Sequence, residues 1–271
     1  MSLINTTILA VIQGLTEFLP VSSSGHLVLG EALLGADAFG ESIAFELVVH
    51  LGTFLAVVAI FWHDIIHLGS IFFPRIIKPV SWGQEYRSNS EFKLTVLMII
   101  AMLPAGIIGL TLRENISDLF SQPFMVSIAL LVTGSMLIST KYYKKTDKPI
   151  GLIQAILIGF AQALALVPGI SRSGSTITMA LALGIKQKEA ARFSFIMVLP
   201  LIVAATALEF MDLMQVGISQ EEILTLLIAL IVSFAVGFFS LKWLLKLLSQ
   251  GHFHYFAWYC FSIAIAGLFY F

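Results

Sequence analysis

The stretch Pro168-Gly169-Ile170-Ser171-Arg172-Ser173-Gly174-Ser175-Thr176 lies between apolar runs on both sides. Arginine stays protonated, and carrying one to membrane depth costs between about 2.5 and 17 kcal/mol depending on the reference, so it demands an anionic partner. Gly169 and Gly174 let the backbone come close to a ligand, while Ser171, Ser173, Ser175 and Thr176 add neutral donors. The stretch reads as a cradle for an oxyanion, phosphate above all, because the guanidinium fork suits phosphate. A helix broken here would also turn its N-terminus toward the anion. The plainer alternative is a Gly/Ser break that only lets two helices pack closely, but close packing does not require an arginine.

Around this stretch the chain is apolar throughout. Of 271 residues 58% are hydrophobic and 11% charged, with a mean hydropathy of +0.96, where an ordinary soluble chain is about 25% charged. This is the composition of an all-α, polytopic membrane protein. Net charge is -1 and says little about partners; its placement says more. No nucleotide-binding loop, zinc motif or nucleic-acid footprint is visible. The single cysteine, Cys260, excludes an intramolecular disulfide. The first apolar run has no Lys or Arg before it and contains Gln13 and Glu17, which does not read as a cleavable signal peptide.

Residues 3 to 21 are long enough to cross a bilayer, but Gln13, Gly14, Thr16, Glu17 and Pro20 interrupt them and Ser22-Ser23-Ser24-Gly25-His26 follows. This predicts a helix that enters, breaks and turns back, which is tolerated at depth only where protein or a water-filled cavity surrounds it. Uninterrupted spans are expected at about 47 to 62, 94 to 112 and 121 to 139. The pattern then restarts with an interrupted run at 150 to 167, the arginine stretch, and spans at about 193 to 211, 222 to 245 and 255 to 271. Pro20-Val21-Ser22-Ser23-Ser24-Gly25 echoes Pro168 to Gly174 with one insertion. The expected architecture is one integral membrane domain of two inverted repeats, about 1–140 and 150–271, each a re-entrant broken hairpin plus three transmembrane helices. An odd number of crossings per repeat makes the second enter from the opposite side and brings the broken helices together near the midplane.

The basic residues test this topology independently. Arg75, Lys78, Arg87 and Lys93, then Lys141, Lys144, Lys145 and Lys148, then Lys186, Lys188 and Arg192, then Lys242 and Lys246 fall on one side; Arg113 alone falls on the other. The base-rich side is expected to be cytoplasmic, with both termini and the acidic stretch 31 to 46 facing outward.

In the first hairpin Gln13 and Glu17 stand four apart on one helix face. Glu17 facing a phosphate requires a divalent cation between them, and hard oxygen ligands suit Mg2+ or Ca2+. An ion pair with Arg172 across the repeat interface is the alternative, and the two can hold at different stages of a cycle. His26 is placed to move a proton, with Ser23 as nucleophile or phosphate donor; taken alone, a histidine beside a serine-rich turn also fits a capping role. His50 reads as a core histidine, and His63 and His67, beside Asp64, read as interfacial anchors rather than metal ligands. Pro104 and Pro200 are expected to kink their spans, and Pro200 to help open a cavity.

Gln13-Gly14-Leu15-Thr16-Glu17-Phe18-Leu19-Pro20-Val21-Ser22-Ser23-Ser24-Gly25-His26 and Pro168 to Thr176 together resemble the bacterial undecaprenyl-diphosphate phosphatases associated with bacitracin resistance. The family's first motif is Glu or Gln followed four residues later by Glu; its second is Pro-Gly-x-Ser-Arg-Ser-x-x-Thr, met in full at Pro168 to Thr176. The resemblance covers the whole chain in length and element order. It implies hydrolysis of undecaprenyl diphosphate to the monophosphate and inorganic phosphate, recycling the lipid carrier for peptidoglycan. It further implies a divalent-metal requirement and an active site open to the outer face of the bacterial plasma membrane. Carried over residue by residue, it makes Glu17, His26, Ser23 and Arg172 the catalytic positions. Ser171, Arg172, Ser173, Gly174 and Thr176 become phosphate-binding, and Glu17 with Gln13 would hold the metal. The expected partners are the polyprenyl diphosphate and the bilayer, with a homodimer as the one assembly entertained. The competing class is a secondary transporter or flippase for an anionic lipid phosphate, because inverted repeats with broken helices also build carriers.

Overall fold

The computed structural model describes residues 3–34, 43–77, 82–112, 119, 122–143, 146–216 and 220–271. Asp37, Glu41, Lys78, Arg113, Lys144 and Lys145, all used in the topology argument, lie outside the described residues. The described residues are mostly helical, with no strand among them.

Two short helices open each half. They are α1 (Leu3–Thr16) and α2 (Ser23–Leu34) in the first, and, in the second, the pair α8 and α9 given below. The remaining first-half helices are α3 (Ile43–Ile60), α4 (Trp62–Ile76), α5 (Trp82–Ser88), α6 (Ser90–Thr111) and α7 (Pro123–Ser139). The second half has α8 (Leu152–Leu164), α9 (Arg172–Ala182), α10 (Gln187–Met197), α11 (Leu199–Val216), α12 (Gln220–Ser249) and α13 (Phe256–Tyr270). At 1.5 Å per residue α1 and α8 reach only about 20 Å, short of a hydrocarbon core of about 30 Å. Neither can cross, and each turns back at a polar tip.

Among the described residues five helices are long and apolar enough to cross a membrane, and a sixth span is counted when α3 and α4, bent 79° apart, are taken together. Counted so, this matches the expected three spans per half: α3 with α4, α6 and α7, then α10 with α11, α12 and α13. The lipid-facing surface carries the apolar bulk. Along α8, Ile153, Leu157, Phe160 and Leu164 point outward while Ala155, Ile158, Gly159 and Gln162 point inward. With lipid outside there is no hydrophobic drive between helices, so contacts are made by small residues. A Cβ on Gly14 would stand 3.0 Å from Ser233 O of α12, and one on Gly159 would stand 2.5 Å from Ala101 O of α6. Thus α1 packs along α12 and α8 along α6, each hairpin lying against a span of the other half.

Two features differ from the sequence reading. His63 and His67 do not end a span; Phe61 breaks the chain and α4 begins at Trp62. Asp64, Leu68, Ile71 and Arg75 recur at helical spacing on the inward face, Leu68 buried, while His63, His67 and Ser70 face outward, so the helix continues past the bend with polar residues on both faces. The second half's span starts at Gln187, before the apolar run, because Arg192 is neutralised from two neighbouring helices. It donates through Nε to Asp64 of α4 at 2.7 Å and through Nη2 to Glu91 of α6 at 3.1 Å. Val198 interrupts the same span just before Pro200, whose missing N–H removes one rung of the ladder.

Candidate active site

The two hairpin tips meet backbone to backbone. In the first, the chain leaves α1 at Thr16 and runs through Glu17 to Val21. Ser22 follows at φ 68, the one non-glycine residue with positive φ among the described residues. Ser22 Oγ accepts from Gly25 N at 3.3 Å, capping α2, and from Gly169 N of the second hairpin at 3.1 Å. In the second, Gly169 turns at φ 93 and Ser171 caps α9, its Oγ accepting from Gly174 N at 3.1 Å. Thr133 of α7 donates to Gly169 O at 2.7 Å and accepts from Ser171 N at 3.1 Å. Ser173 Oγ donates to Phe18 O at 2.9 Å. There is no room between the tips: a Cβ on Gly25 would come 3.0 Å from Gly169 Cα.

Ser23 and Arg172 are therefore the first residues of their helices, and both reach Glu17. Arg172 Nη2 donates to Glu17 Oε1 at 2.6 Å, Ser23 Oγ to Oε2 at 2.8 Å, and Gln13 Nε2 to Oε2 at 3.1 Å. One carboxylate is thus held by a cation, a hydroxyl and an amide, beside two helix N-termini whose partial positive charge favours it. The ion pair that the sequence left as an alternative is present.

Glu17, Ser23 and Arg172 form part of the wall of a cavity of about 550 Å3. Its polar side chains are Thr16, Glu17, Ser22, Ser23, Ser24, Ser171 and Arg172 from the hairpin tips, with His50 of α3, Gln162 of α8 and Thr206 of α11. Its apolar wall comes from Ala105, Gly106, Gly109 and Leu110 of α6, and from Leu201, Ile202, Ala204 and Ala205 of α11. Pro104 and Pro200 each adjoin this wall. Such a lining fits an amphiphile with an anionic head and a hydrocarbon tail.

Other residues singled out in the sequence stand behind the wall. His26 Nδ1–H donates to Ser22 O at 2.8 Å, which leaves Nε2 to accept from Tyr259 OH at 2.8 Å. Its ring stacks on Tyr259 with centroids 5.5 Å apart, so it turns toward α13 and not into the cavity. Thr176 is fully buried and bonded to Ser194 Oγ at 2.5 Å and Arg172 O at 2.8 Å. Gly174 N and the Ser173 hydroxyl are committed to the hairpin contacts above. In this structure, then, Glu17, Ser23, Ser171 and Arg172 share the cavity wall, whereas Gln13, His26, Ser173, Gly174 and Thr176 support it.

The sequence reading missed Gln162 and misread His50. His50 is not a satisfied core histidine: its Nδ1–H donates to Glu46 O on its own helix at 2.9 Å, and it lines the cavity. The signal was present in both cases, a lone polar residue within an apolar run, but Gln162 lies outside the motifs.

For a metal, no group of three or more His, Cys, Asp or Glu side chains gathers among the described residues. The available donors are oxygens: the Glu17 carboxylate, Ser23 Oγ, and Gln13 Oε1, which is buried with no partner among the described residues. That set fits a hard divalent cation of the kind that takes one carboxylate from protein and the rest from phosphate and water.

A family model described as "Bacitracin resistance protein BacA" matches residues 6–266. Similar curated proteins include the undecaprenyl-diphosphatase of Salinibacter ruber, 37% identical over 96% of each chain. Those of Halothermothrix orenii, 38% identical over 99% of this chain and 100% of the relative, and of Bacteroides thetaiotaomicron, 37% identical over 99% and 97%, carry the same name.

Proposed function

The chain belongs to the bacitracin resistance protein BacA family, and on that premise we propose that it is a membrane phosphatase that hydrolyses undecaprenyl diphosphate to undecaprenyl phosphate and inorganic phosphate. The reaction returns the lipid carrier to peptidoglycan synthesis. The observation that carries this reading is the convergence of Ser23, Glu17 and Arg172 at the polar end of a cavity whose wall from α6 and α11 is largely apolar. A carrier needs the arginine; it does not need a hydroxyl hydrogen-bonded to a part-buried carboxylate.

Ser23 Oγ is the nucleophile in this proposal. It attacks the terminal phosphorus while its proton passes to Glu17 Oε2, which already accepts that hydrogen bond at 2.8 Å. The phosphorus–bridging-oxygen bond breaks and its electron pair leaves on undecaprenyl phosphate. Water then attacks the phosphoserine, releases inorganic phosphate and restores the serine hydroxyl. Arg172 and the N-terminal amides of α9 stabilise the equatorial oxygens, where charge is carried in phosphoryl transfer. A divalent cation, held by Glu17 and Gln13, would supply charge neutralisation to the diphosphate. The cavity opens to the outer face of the plasma membrane in this reading, which rests on the basic residues at the opposite side.

The test is phosphate release from detergent-solubilised undecaprenyl diphosphate by the wild type and by Ser23→Ala, Glu17→Ala and Arg172→Ala, with and without chelator. Metal-dependent release by the wild type, with each variant down by about 10²-fold or more, supports the reading. A folded wild type that releases none across metals and pH defeats it.

A further inference from the structure

Gln162 lies on α8, six residues before the Pro-Gly-x-Ser-Arg motif, and only 3% of its surface is exposed. Neither Nε2 nor Oε1 has a hydrogen-bond partner among the described residues. This is unusual, because a carboxamide brings two donors and two lone pairs, and burying them unmet is unfavourable. Gln13, the buried amide of the first hairpin, differs: its Nε2 is committed to Glu17. The α8 backbone that carries Gln162 is held in place, since Gly159 one turn earlier presses it against Ala101 O of α6. The space it borders is the cavity that holds Glu17, Ser23 and Arg172. A buried amide left unmet at the wall of a cavity is satisfied by what enters that cavity.

We propose that Gln162 is a substrate-positioning residue: its Nε2–H donates to an oxygen of the bound diphosphate, and its Oε1 accepts from a water molecule held against the same group. This deepens the phosphatase reading and rests on it. The division between the two atoms follows from donor and acceptor chemistry. An ionised phosphate offers acceptors, so only Nε2 can bind it directly. Oε1 needs a donor, and water is the one small donor that hydrolysis itself consumes. Because an amide does not titrate in this range, Gln162 moves no proton; it fixes where the phosphate and the water stand, the role a glutamine serves in other phosphoryl-transfer sites.

The experiment compares full-length wild type, Gln162→Met and Gln162→Glu. Three readouts are taken: kcat and KM for undecaprenyl diphosphate, thermal unfolding in detergent, and equilibrium binding of a polyprenyl methylenediphosphonate, whose P–C–P bridge resists hydrolysis. Methionine keeps the volume and removes the unmet polar atoms, so the expected result is undiminished thermal stability with kcat/KM and diphosphonate affinity down by about tenfold or more. Glutamate keeps the shape, brings like charge to the phosphate and should be worse, which gives a second variant if methionine fails to fold. Wild-type kcat/KM and diphosphonate affinity in a folded variant overturn the assignment. If the wild type itself released no phosphate, the phosphatase reading would fall separately, and the diphosphonate comparison would still decide whether Gln162 touches the headgroup.

Discussion

Arg172 Nη2 and Glu17 Oε1 stand 2.6 Å apart across 155 residues of sequence, with side chains 19% and 11% exposed. At a water-exposed surface such a pair would contribute about 1 kcal/mol or less. Here both charges are mostly withdrawn from solvent, and removing one leaves the other uncompensated, at a cost of about 3–5 kcal/mol. Arg172→Ala should therefore lower the unfolding temperature in detergent as well as the rate. The double variant Glu17→Gln with Arg172→Gln should recover most of the stability and none of the activity. Stability losses that simply add in the double variant would show that the pair is not coupled.

His26 gives a second prediction. Its Nδ1–H holds Ser22 O and its Nε2 accepts from Tyr259 OH, so it braces the residue that caps α2 and bonds Gly169. Loss of a single such hydrogen bond is worth about 1 kcal/mol. Tyr259→Phe should lower the rate about fivefold at most. His26→Ala should lower it further, and His26→Asn, which retains a donor for Ser22 O, should restore part of the loss. The pH–rate profile should keep its shape in all three; a missing limb in the His26 variants would instead make His26 a proton carrier in the reaction.

The glycines at the hairpin contact argue a third. A Cβ on Gly25 would sit 3.0 Å from Gly169 Cα, and one on Gly169 would meet Val126 O at 2.5 Å while occupying φ +93. Backbone sits on the other side of both contacts and cannot swing aside. Gly169→Ala combines the clash with a left-handed backbone that costs about 1–2 kcal/mol for a residue with a Cβ. It should be the more damaging of the two in thermal unfolding and should lower phosphate release with it. Wild-type stability in both variants would mean that the tips are not in this contact.

The legible part of the site was the part that lipid makes expensive. Glu17 and Arg172 are charges in apolar runs, and only a partner or a function accounts for them; the broken hairpins followed from glycine, proline and serine at the same places. What was not legible was the rotation of each helix. Once Ser171 caps α9 and Thr133 fixes the turn before it, Ser173 faces Phe18 and Thr176 faces Ser194, although the sequence offers all the hydroxyls equally. His50 and Gln162 were hidden for the opposite reason. A single polar residue in an apolar span looks like a satisfied core residue until the space beside it is seen. The bend at Phe61 escaped because Asp64 and Arg192 pair over 128 residues, a separation that no local pattern reveals.

The orientation of the cavity can be read by chemical labelling. Cys260 is fully buried on α13, so it should be silent to a membrane-impermeant maleimide, and Cys260→Ala provides a background. Ser249 is exposed at the end of α12 beside Lys246, on the base-rich side; Leu166 lines the cavity. In spheroplasts carrying the Cys260→Ala background, Leu166→Cys should label without permeabilisation and be protected by a polyprenyl methylenediphosphonate. Ser249→Cys should label only after permeabilisation. The reverse pattern would put the cavity on the cytoplasmic face, where the substrate headgroup would have to approach from the same side as the clustered lysines.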